Sequence, residues 1–396
     1  MQQKTSSRNL TPLYCLHQAL YFFAMAGTSA FATTYLLTRG FDAAQIGILL
    51  AATNVLSCAL QPAIGSYVDR TSVSVLQKIV PAFLITAVAA LSAAELLSVP
   101  LLITGFLYIT GSLSFSITIP LCNSLCAHYS RNGWQINYGA GSGIGSLSVS
   151  FASLGFGYII ASLGASAMIW IAIAVIALQL GLMRCYPQID AVPPAQRTAG
   201  QSSLSMIGFI CRYRLFMLTM LGVVLLAGCH AMAENFLIQI FGRIGGGSKH
   251  VGITLFLACI SDAPFMLYFE RIQKRISIVL LMRLAGLFYV AKALLLIWAP
   301  SILSVYLIGL LQTCTYAFLY PSLYYLVLAR IAPEDMAKGQ MLANAMFVLG
   351  MALGNSLGGI VIEAAGLNAM LTLAACIAAL GTLLINLAIT RRDVCQ

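Results

Sequence analysis

Residues 252–275, GITLFLACISDAPFMLYFERIQKR, decide how the chain is read. Apolar side chains dominate from Gly252 to Phe269, an acid (Asp262) stands near the middle, and the charged cluster from Glu270 to Arg275 stops the run. An apolar stretch of this length bounded by charges is a candidate membrane span. An ionised side chain at mid-bilayer costs at least ~2.5–3.5 kcal/mol on insertion scales, so Asp262 marks function and calls for a partner. Lys292, in the next apolar run, is the expected partner. The alternative for this pair is a purely structural buried ion pair, which is weak evidence for stability.

Composition sets the class. With 60% apolar and 8% charged residues over 396 positions, and a mean hydropathy of +0.92, no globule has interior enough to hide the apolar surface. A formal charge of +10 could suggest nucleic acid, but the basic residues stand one or two at a time between apolar runs, as in short membrane loops. Nucleic-acid binding is therefore excluded as a reading. Most of the eleven cysteines, among them Cys58, Cys122, Cys126, Cys229, Cys259, Cys314 and Cys376, lie inside apolar runs without His or Asp company and behave as small hydrophobes. Cys122 and Cys126 share a helix face, yet a metal would need two further ligands, and no metal is expected.

Twelve spans can be drawn. The first runs from Thr11 to Leu37; Ala30-Phe31-Ala32 imitates a signal-peptidase site, but the apolar run continues past it and turns through 39–45 straight into another span. The others read as 46–68, 79–99, 101–127, 138–162, 167–183, 215–241, 251–269, 276–298, 302–328, 341–362 and 368–389. Of the 21 Lys and Arg, with the N-terminus placed in the cytoplasm, only Arg39, Arg243 and Lys249 fall in outer loops and Lys292 within the membrane. That bias puts both ends in the cytoplasm, and the membrane expected is the bacterial inner membrane.

The longest loop, between Arg184 and Arg214, holds Pro187, Pro193, Pro194 and a Gly-Gln-Ser-Ser stretch and reads as a solvated linker. The expected organisation is a bundle of six helices over 1–186, a cytoplasmic linker over 187–213 and a second six-helix bundle over 214–396. The halves echo one another at an offset of about 202 residues: QPAIGSYVDR (61–70) against DAPFMLYFER (262–271), and LGFGYII (154–160) against LGGIVI (357–362). Repeated halves place a solute between them near mid-membrane.

Twelve spans, a six-plus-six split and the first inner loop, Gly65-Ser66-Tyr67-Val68-Asp69-Arg70 followed by Lys78, resemble the major facilitator superfamily. The resemblance covers the whole chain and implies an all-α membrane protein whose twelve transmembrane helices form two pseudo-symmetric six-helix bundles. Gly65 would let a neighbouring helix approach closely, while Asp69 suits a helix N-terminus across a cytoplasmic gate and Arg70 an acidic partner. The later glycine of that signature is replaced by Thr71-Ser72-Val73. Within the superfamily the chain is most similar to the lactose-permease and phenylpropionate-permease-like proton symporters, through Gln61–Arg70, Pro120-Leu121, Asn137-Tyr138-Gly139, Ser261-Asp262-Ala263-Pro264 and Leu284-Ala285-Gly286 ahead of Lys292. The resemblance puts Asp262 where relatives carry an acid before proline, and Lys292 where the lactose permease has an arginine linked to proton transfer. Where relatives carry a sugar-binding arginine this chain has Ser142, the acid of span four gives way to Asn123-Ser124, and the relay histidine and acid of span ten become Gln312 and Thr315. Lactose-type recognition is not expected.

Proton coupling is assigned to Asp262 and Lys292, with Glu234 as the reserve acid. Burial favours the neutral form of a carboxyl, which makes it a natural proton carrier. His230 and Glu234 are four apart on one face of span seven and either line a cavity or, in the case of Glu234, meet Arg243 at the interface. The polar, nearly uncharged set Asn54, Asn123, Ser124, Ser142, His230, Asn235, Gln312 and Thr313 suits a small neutral solute such as a sugar or nucleoside. Glu95, Glu363, Glu270 and Arg283 read as interfacial, and His17 and His128 as solvated near the inner face. Gly139, Gly141, Gly143 and Gly145, like Gly350, Gly354 and Gly358, read as close-packing stripes. Tyr14, Tyr21, Tyr108, Tyr316 and Tyr320 read either as cavity walls or as ordinary packing.

The function expected is import by a monomeric proton-coupled symporter through alternating access, with no cofactor beyond the proton gradient. Drug or metabolite efflux by proton antiport is the alternative. None of the four histidines has an evident nucleophile or metal set, so an enzyme is not expected.

The loops offer two tests of this reading. A reporter inserted within Gly242–Lys249 should report the outside and one within Asp190–Gln201 the cytoplasm; both on one side would overturn the twelve-span map. Asp69→Asn should slow transport while leaving equilibrium solute binding within a few-fold, and a large loss of affinity at unchanged turnover would count against a gating role.

Overall fold

A computed structural model describes residues 9–68, 73–187, 206–332 and 335–388; at 61–68, 73–74, 127, 131, 206–207 and 337 only the backbone is described. Seventeen α-helices occur among these residues. They are α1 (Thr11–Met25), α2 (Ala32–Thr38), α3 (Ala43–Val68), α4 (Val73–Leu96), α5 (Leu101–Arg131), α6 (Tyr138–Leu163) and α7 (Ala165–Leu182), followed by α8 (Met206–Arg212), α9 (Arg214–Asn235), α10 (Leu237–Arg243), α11 (Ser248–Leu267) and α12 (Phe269–Gln273). The last five are α13 (Ile278–Ile297), α14 (Ile302–Gly309), α15 (Phe318–Arg330), α16 (Met336–Ala365) and α17 (Leu367–Ala388).

Among the described residues, eleven helical segments are long and apolar enough to cross a membrane, and the bent pair of α1 with its π turn and α2 makes up to twelve. Helices are the natural solution here because lipid cannot satisfy backbone N–H and C=O groups. The map drawn from the sequence holds in number but not in straightness. Span one bends by 50° after a π turn at Ala26–Ala30. Span seven breaks at Phe236, and span ten is interrupted by a π turn at Thr313–Ala317. The linker expected over 187–213 ends in a helix, α8.

The chain divides into two compact units, Met1–Gly40 with Leu56–Arg197 and Phe41–Val55 with Thr198–Gln396. The N-terminal part of α3 belongs with the second unit because Gly47 and Ala43 press backbone to backbone on Asn355 and Gly359 of α16.

Within each unit the same construction recurs. The first helix packs along the fifth and sixth spans: α1 on α6 and α7 in one unit, α9 on α16 and α17 in the other. Glycines open those crossings. A Cβ at Gly141 would run into the Tyr14 ring and one at Gly145 into Phe22, while Gly350 and Gly354 sit against the carbonyls of Val224 and Gly228. Gly139 and Gly143 do not share this role: Gly143 meets nothing within 4 Å. Each first span breaks at a phenylalanine of the same backbone geometry, Phe31 at φ −102, ψ 16 and Phe236 at φ −107, ψ 20. The turn between spans five and six is made by Gly164 (φ 87, ψ 168) and that between eleven and twelve by Gly366 (φ 85, ψ 171), both in the region that favours glycine.

An arginine past each first span clamps the carbonyl end of the unit's third span, where cations are favoured. Arg39 Nη2 donates to the Ala94 carbonyl at 2.8 Å, and Arg243 donates to the carbonyls of Leu296 at 2.7 Å and Ile297 at 3.2 Å. These shared devices show duplication more plainly than the two short sequence matches.

Several peripheral residues fall differently from expectation. His17 is fully buried and bonded to Gln179 at 2.8 Å, because α7 packs against α1 there. Glu95 is not merely interfacial: it accepts from Tyr35 OH at 2.8 Å and faces Arg39 at 3.9 Å. Glu270 and Lys274 pair on the exposed surface, as an i,i+4 interfacial couple should.

The glycine crossing of α9 and α16 is testable. Overpacking such a contact costs about 1–3 kcal/mol, so Gly354→Ala should lower the unfolding temperature of the detergent-solubilised protein by several degrees, while Gly143→Ala should leave it in place. Equal shifts would contradict the packing role.

Candidate functional site

Of the polar residues picked out in the sequence, Asp262, Lys292, Glu234, His230, Gln312 and Thr313 come together inside the second unit, around α9. That helix is the most deeply buried of the described spans, packed on α16 and α17 along its length, so whatever polar groups it carries are withdrawn from lipid. It carries two together, His230 and Glu234, one turn apart and ending at the Phe236 break. α13 brings Tyr289 and Lys292 one turn apart on the facing side. Gln312 and the π turn behind it close a third side, the turn being held by Thr315, whose Oγ1 donates back to the Leu311 and Gln312 carbonyls at 3.2 and 3.0 Å. α11 supplies Asp262 two residues before Pro264, which lacks the N–H that a helix would give to the Ile260 carbonyl.

The charge pairing differs from the expectation. Lys292 Nζ donates to Glu234 Oε1 at 2.5 Å and to Gln312 Oε1 at 2.7 Å, with side-chain exposures of 5% for the lysine and 14% for the glutamate. Asp262 is not the salt-bridge partner; its Oδ1 is buried and has no hydrogen-bond partner among the described residues. The reason is rotational: the α9 face that bears Glu234 meets Lys292 at bonding distance, and the acid ahead of the proline stops short of it. The interfacial alternative for Glu234 also fails, since Arg243 is committed to the end of α13 and to Asn368 Oδ1 at 2.6 Å.

Aromatic rings frame the pair. The His230 ring stacks on Tyr316 at 5.2 Å and meets Tyr289 edge-on at 6.1 Å. Tyr316 stacks in turn on Tyr320 at 5.3 Å, with Phe347 of α16 edge-on to both. Thr313 lies beside Asp262. Asn235 does not face this cluster through a hydrogen bond; it bonds to Asn355 Oδ1 at 2.6 Å, tying α9 to α16.

The first unit has a separate, uncharged network. Tyr14 OH donates to Asn123 Oδ1 at 3.1 Å, Gln18 Nε2 donates to Tyr14 OH at 2.5 Å and to Asn123 Oδ1 at 3.2 Å, and Asn123 Nδ2 reaches Tyr138 OH at 3.4 Å. Ser124 and Ser142 are half-buried in this unit, and Asn54 is half-buried on the part of α3 that counts with the second. Of the tyrosines read as walls, Tyr21 packs on Phe115 and Tyr108 donates to the Thr28 carbonyl. Gly65 is described only as helical backbone, and Asp69 and Arg70 lie outside the described residues.

Two participants were not singled out in the sequence. Tyr289 has a signal, its place one turn before a membrane lysine; Gln18 has a weaker one, an amide one turn after Tyr14 in an apolar run. Among the described residues no group of three or more His, Cys, Asp or Glu could hold a metal ion.

The chain is 28% identical over 355 residues to the maltose permease of Geobacillus stearothermophilus, covering 87% of this chain and 84% of that protein. A mutant form of the nucleoside transporter NupG superposes with a TM-score of 0.80 at 16% identity, over 95% of this chain and 98% of the other. A bacterial homologue of the human lysosomal transporter Spinster, inward-facing and unoccupied, superposes at 0.68 and 15% identity, over 98% and 96%. These structural likenesses carry the twelve-helix fold, and the neighbours are transporters, not enzymes. A family model described as "MFS_1 like family" matches residues 14–372, and the chain belongs to that family of major facilitator transporters.

Proposed function

We propose that the chain is a proton-coupled symporter that imports a small neutral, hydrogen-bonding solute, a sugar or a nucleoside, by alternating access. The observation that carries this reading is the Glu234–Lys292 pair, with Asp262 left outside that ion pair and its Oδ1 without a hydrogen-bond partner among the described residues. A lysine neutralised by one carboxylate leaves the second carboxyl as the group that can gain and lose a proton without breaking a bond. The kinship with a maltose permease and the fold shared with a nucleoside transporter support the solute class. The protein works as a monomer in the bacterial inner membrane with both termini cytoplasmic, as two bundles, 1–186 and 214–396, joined by the linker 187–213, and uses no cofactor beyond the proton gradient.

In this mechanism each residue has a distinct task. Asp262 carries the proton; Glu234 and Gln312 hold Lys292 so that its charge is spent locally. Asn123 with Ser124 and Ser142 in the first bundle, and His230 with Thr313 in the second, offer hydrogen bonds to the solute. Gly65, Asp69 and Arg70 serve the cytoplasmic gate.

The test is transport by reconstituted protein. Asp262→Asn should abolish uphill accumulation while exchange of solute across the membrane persists, because exchange need not release the proton. Accumulation by this variant would overturn the coupling role, and outward pumping by the native protein would establish antiport instead. Folding supplies a second check. Lys292→Ala leaves the Glu234 carboxylate buried and unpaired, at a cost of about 3–5 kcal/mol, whereas Glu234→Gln combined with Lys292→Met should recover most of that loss. A double variant as unstable as the single one would contradict the pairing.

A further inference from the structure

Around the Lys292–Glu234 pair, three polar atoms have no hydrogen-bond partner among the described residues, Asp262 Oδ1, Tyr289 OH and His230 Nδ1, and the Thr313 hydroxyl stands beside the Asp262 carboxyl. The three come from α11, α13 and α9, and Thr313 comes from the π turn ahead of α15. Asp262 and His230 are each 8% exposed and Tyr289 1%. The His230 ring adjoins Tyr289 and Tyr316, and Tyr289, Thr313 and Tyr316 all lie within electrostatic reach of Asp262. A polar group withdrawn from water and left without a partner is costly, and lipid cannot supply one. Three such groups converging from three elements form a receptor for hydrogen-bonding atoms that the chain itself does not provide.

Charge says what kind of molecule brings those atoms. Lys292 and Glu234 cancel, so the cluster is neutral when Asp262 holds a proton and carries one negative charge when it does not. A cationic solute would compete with the proton for Asp262, giving exchange and not co-transport. An anionic one would leave an uncompensated charge in a low-dielectric interior. A neutral solute fits the protonated cluster. The protonated carboxyl, the phenol and the neutral imidazole each offer both a donor and an acceptor, and the hydroxyls of a sugar or a ribose are their complement.

We propose that proton and solute share one site: the protonated carboxyl of Asp262 hydrogen-bonds directly to a hydroxyl of a neutral polyol, Tyr289 and His230 hold neighbouring hydroxyls, and one proton travels with each solute. The proposal rests on the symporter reading and goes beyond it in making the coupling acid a solute ligand. Facing Asp262 are Glu234 from α9, Tyr289 and Lys292 from α13, and Thr313, Cys314 and Tyr316 from the π turn. His230 adjoins Glu234 and Lys292. With Glu234 and Lys292 locked together, Asp262 is the group whose titration changes the charge of the site. Losing its proton removes a donor and adds a charge, so solute affinity falls as pH rises, by about tenfold per pH unit once the ionised form dominates.

The experiment is equilibrium binding of tritiated uridine and of tritiated maltose to the full chain in nanodiscs, from acid to alkaline pH. For whichever binds, the native protein should show that pH slope. Asp262→Asn, which keeps a donor and an acceptor but cannot titrate, should bind with a flat profile. Tyr289→Phe should weaken binding about tenfold while preserving the slope. A native slope retained in Asp262→Asn, an affinity within twofold of native in Tyr289→Phe, or binding of neither probe at millimolar concentration would overturn the shared site. If Asp262→Asn does not yield monodisperse protein, the native slope and Tyr289→Phe decide. Accumulation assays keep the two readings apart: loss of accumulation with the pH slope intact sinks the shared site and leaves coupling standing, whereas continued accumulation sinks coupling itself.

Discussion

The ion pair between Lys292 and Glu234 is the constraint on which the second unit depends. Two charges taken out of water lose hydration worth several kcal/mol each, and their attraction recovers it only when geometry is good and remaining hydrogens find acceptors. The geometry supplies two acceptors to the ammonium, the carboxylate at 2.5 Å and the Gln312 amide oxygen at 2.7 Å from its nitrogen. Holding that geometry requires α9 to sit at the centre of its unit, which the glycines at 350 and 354 allow by letting α16 touch its backbone. It also requires Gln312 to face inward where the helix is interrupted by the π turn. Such interruptions inside α-helices frequently occur at functional sites.

The two units are built on one plan but do not share their chemistry. Each has a first span broken at a phenylalanine, an arginine clamp on the end of its third span and a glycine turn between its fifth and sixth. Where the second unit carries His230 and Glu234 six and two residues ahead of its break, the first carries Met25 and Ser29 at the same distances ahead of Phe31. The charged pair belongs to the second unit, and the first offers the neutral network of Tyr14, Gln18, Asn123 and Tyr138. That division suits a neutral cargo moved by a protonatable group.

How far the sequence could be read follows from what each level of structure depends on. Span number and order were legible because a bilayer demands about 20 apolar residues per crossing and loops advertise themselves by charge. The breaks at Phe31, Phe236 and Thr313 were not, because a π turn or a bend leaves no compositional mark in a uniformly apolar run. Asp262, Glu234 and Lys292 were legible as a set, since each is an ionisable residue in a span. Which acid meets the lysine was not, because that depends on the rotation of α9, α11 and α13 about their axes, and small side chains set those rotations through contacts between distant segments. His17 was misread for the same reason: its distance from the chain end suggested water, while α7, more than a hundred residues later, covers it. Asp69 and Arg70 stand as a motif read from sequence, outside the described residues.

The central claim is that Lys292 neutralises Glu234 and leaves Asp262 as the carboxyl that holds the exchangeable proton. Infrared difference spectroscopy of the reconstituted protein across a pH step reads that directly, through the carbonyl stretch of a protonated carboxyl. The account predicts one such band that vanishes as pH rises, is absent from Asp262→Asn and survives in Glu234→Gln. A band lost in Glu234→Gln and retained in Asp262→Asn would contradict it.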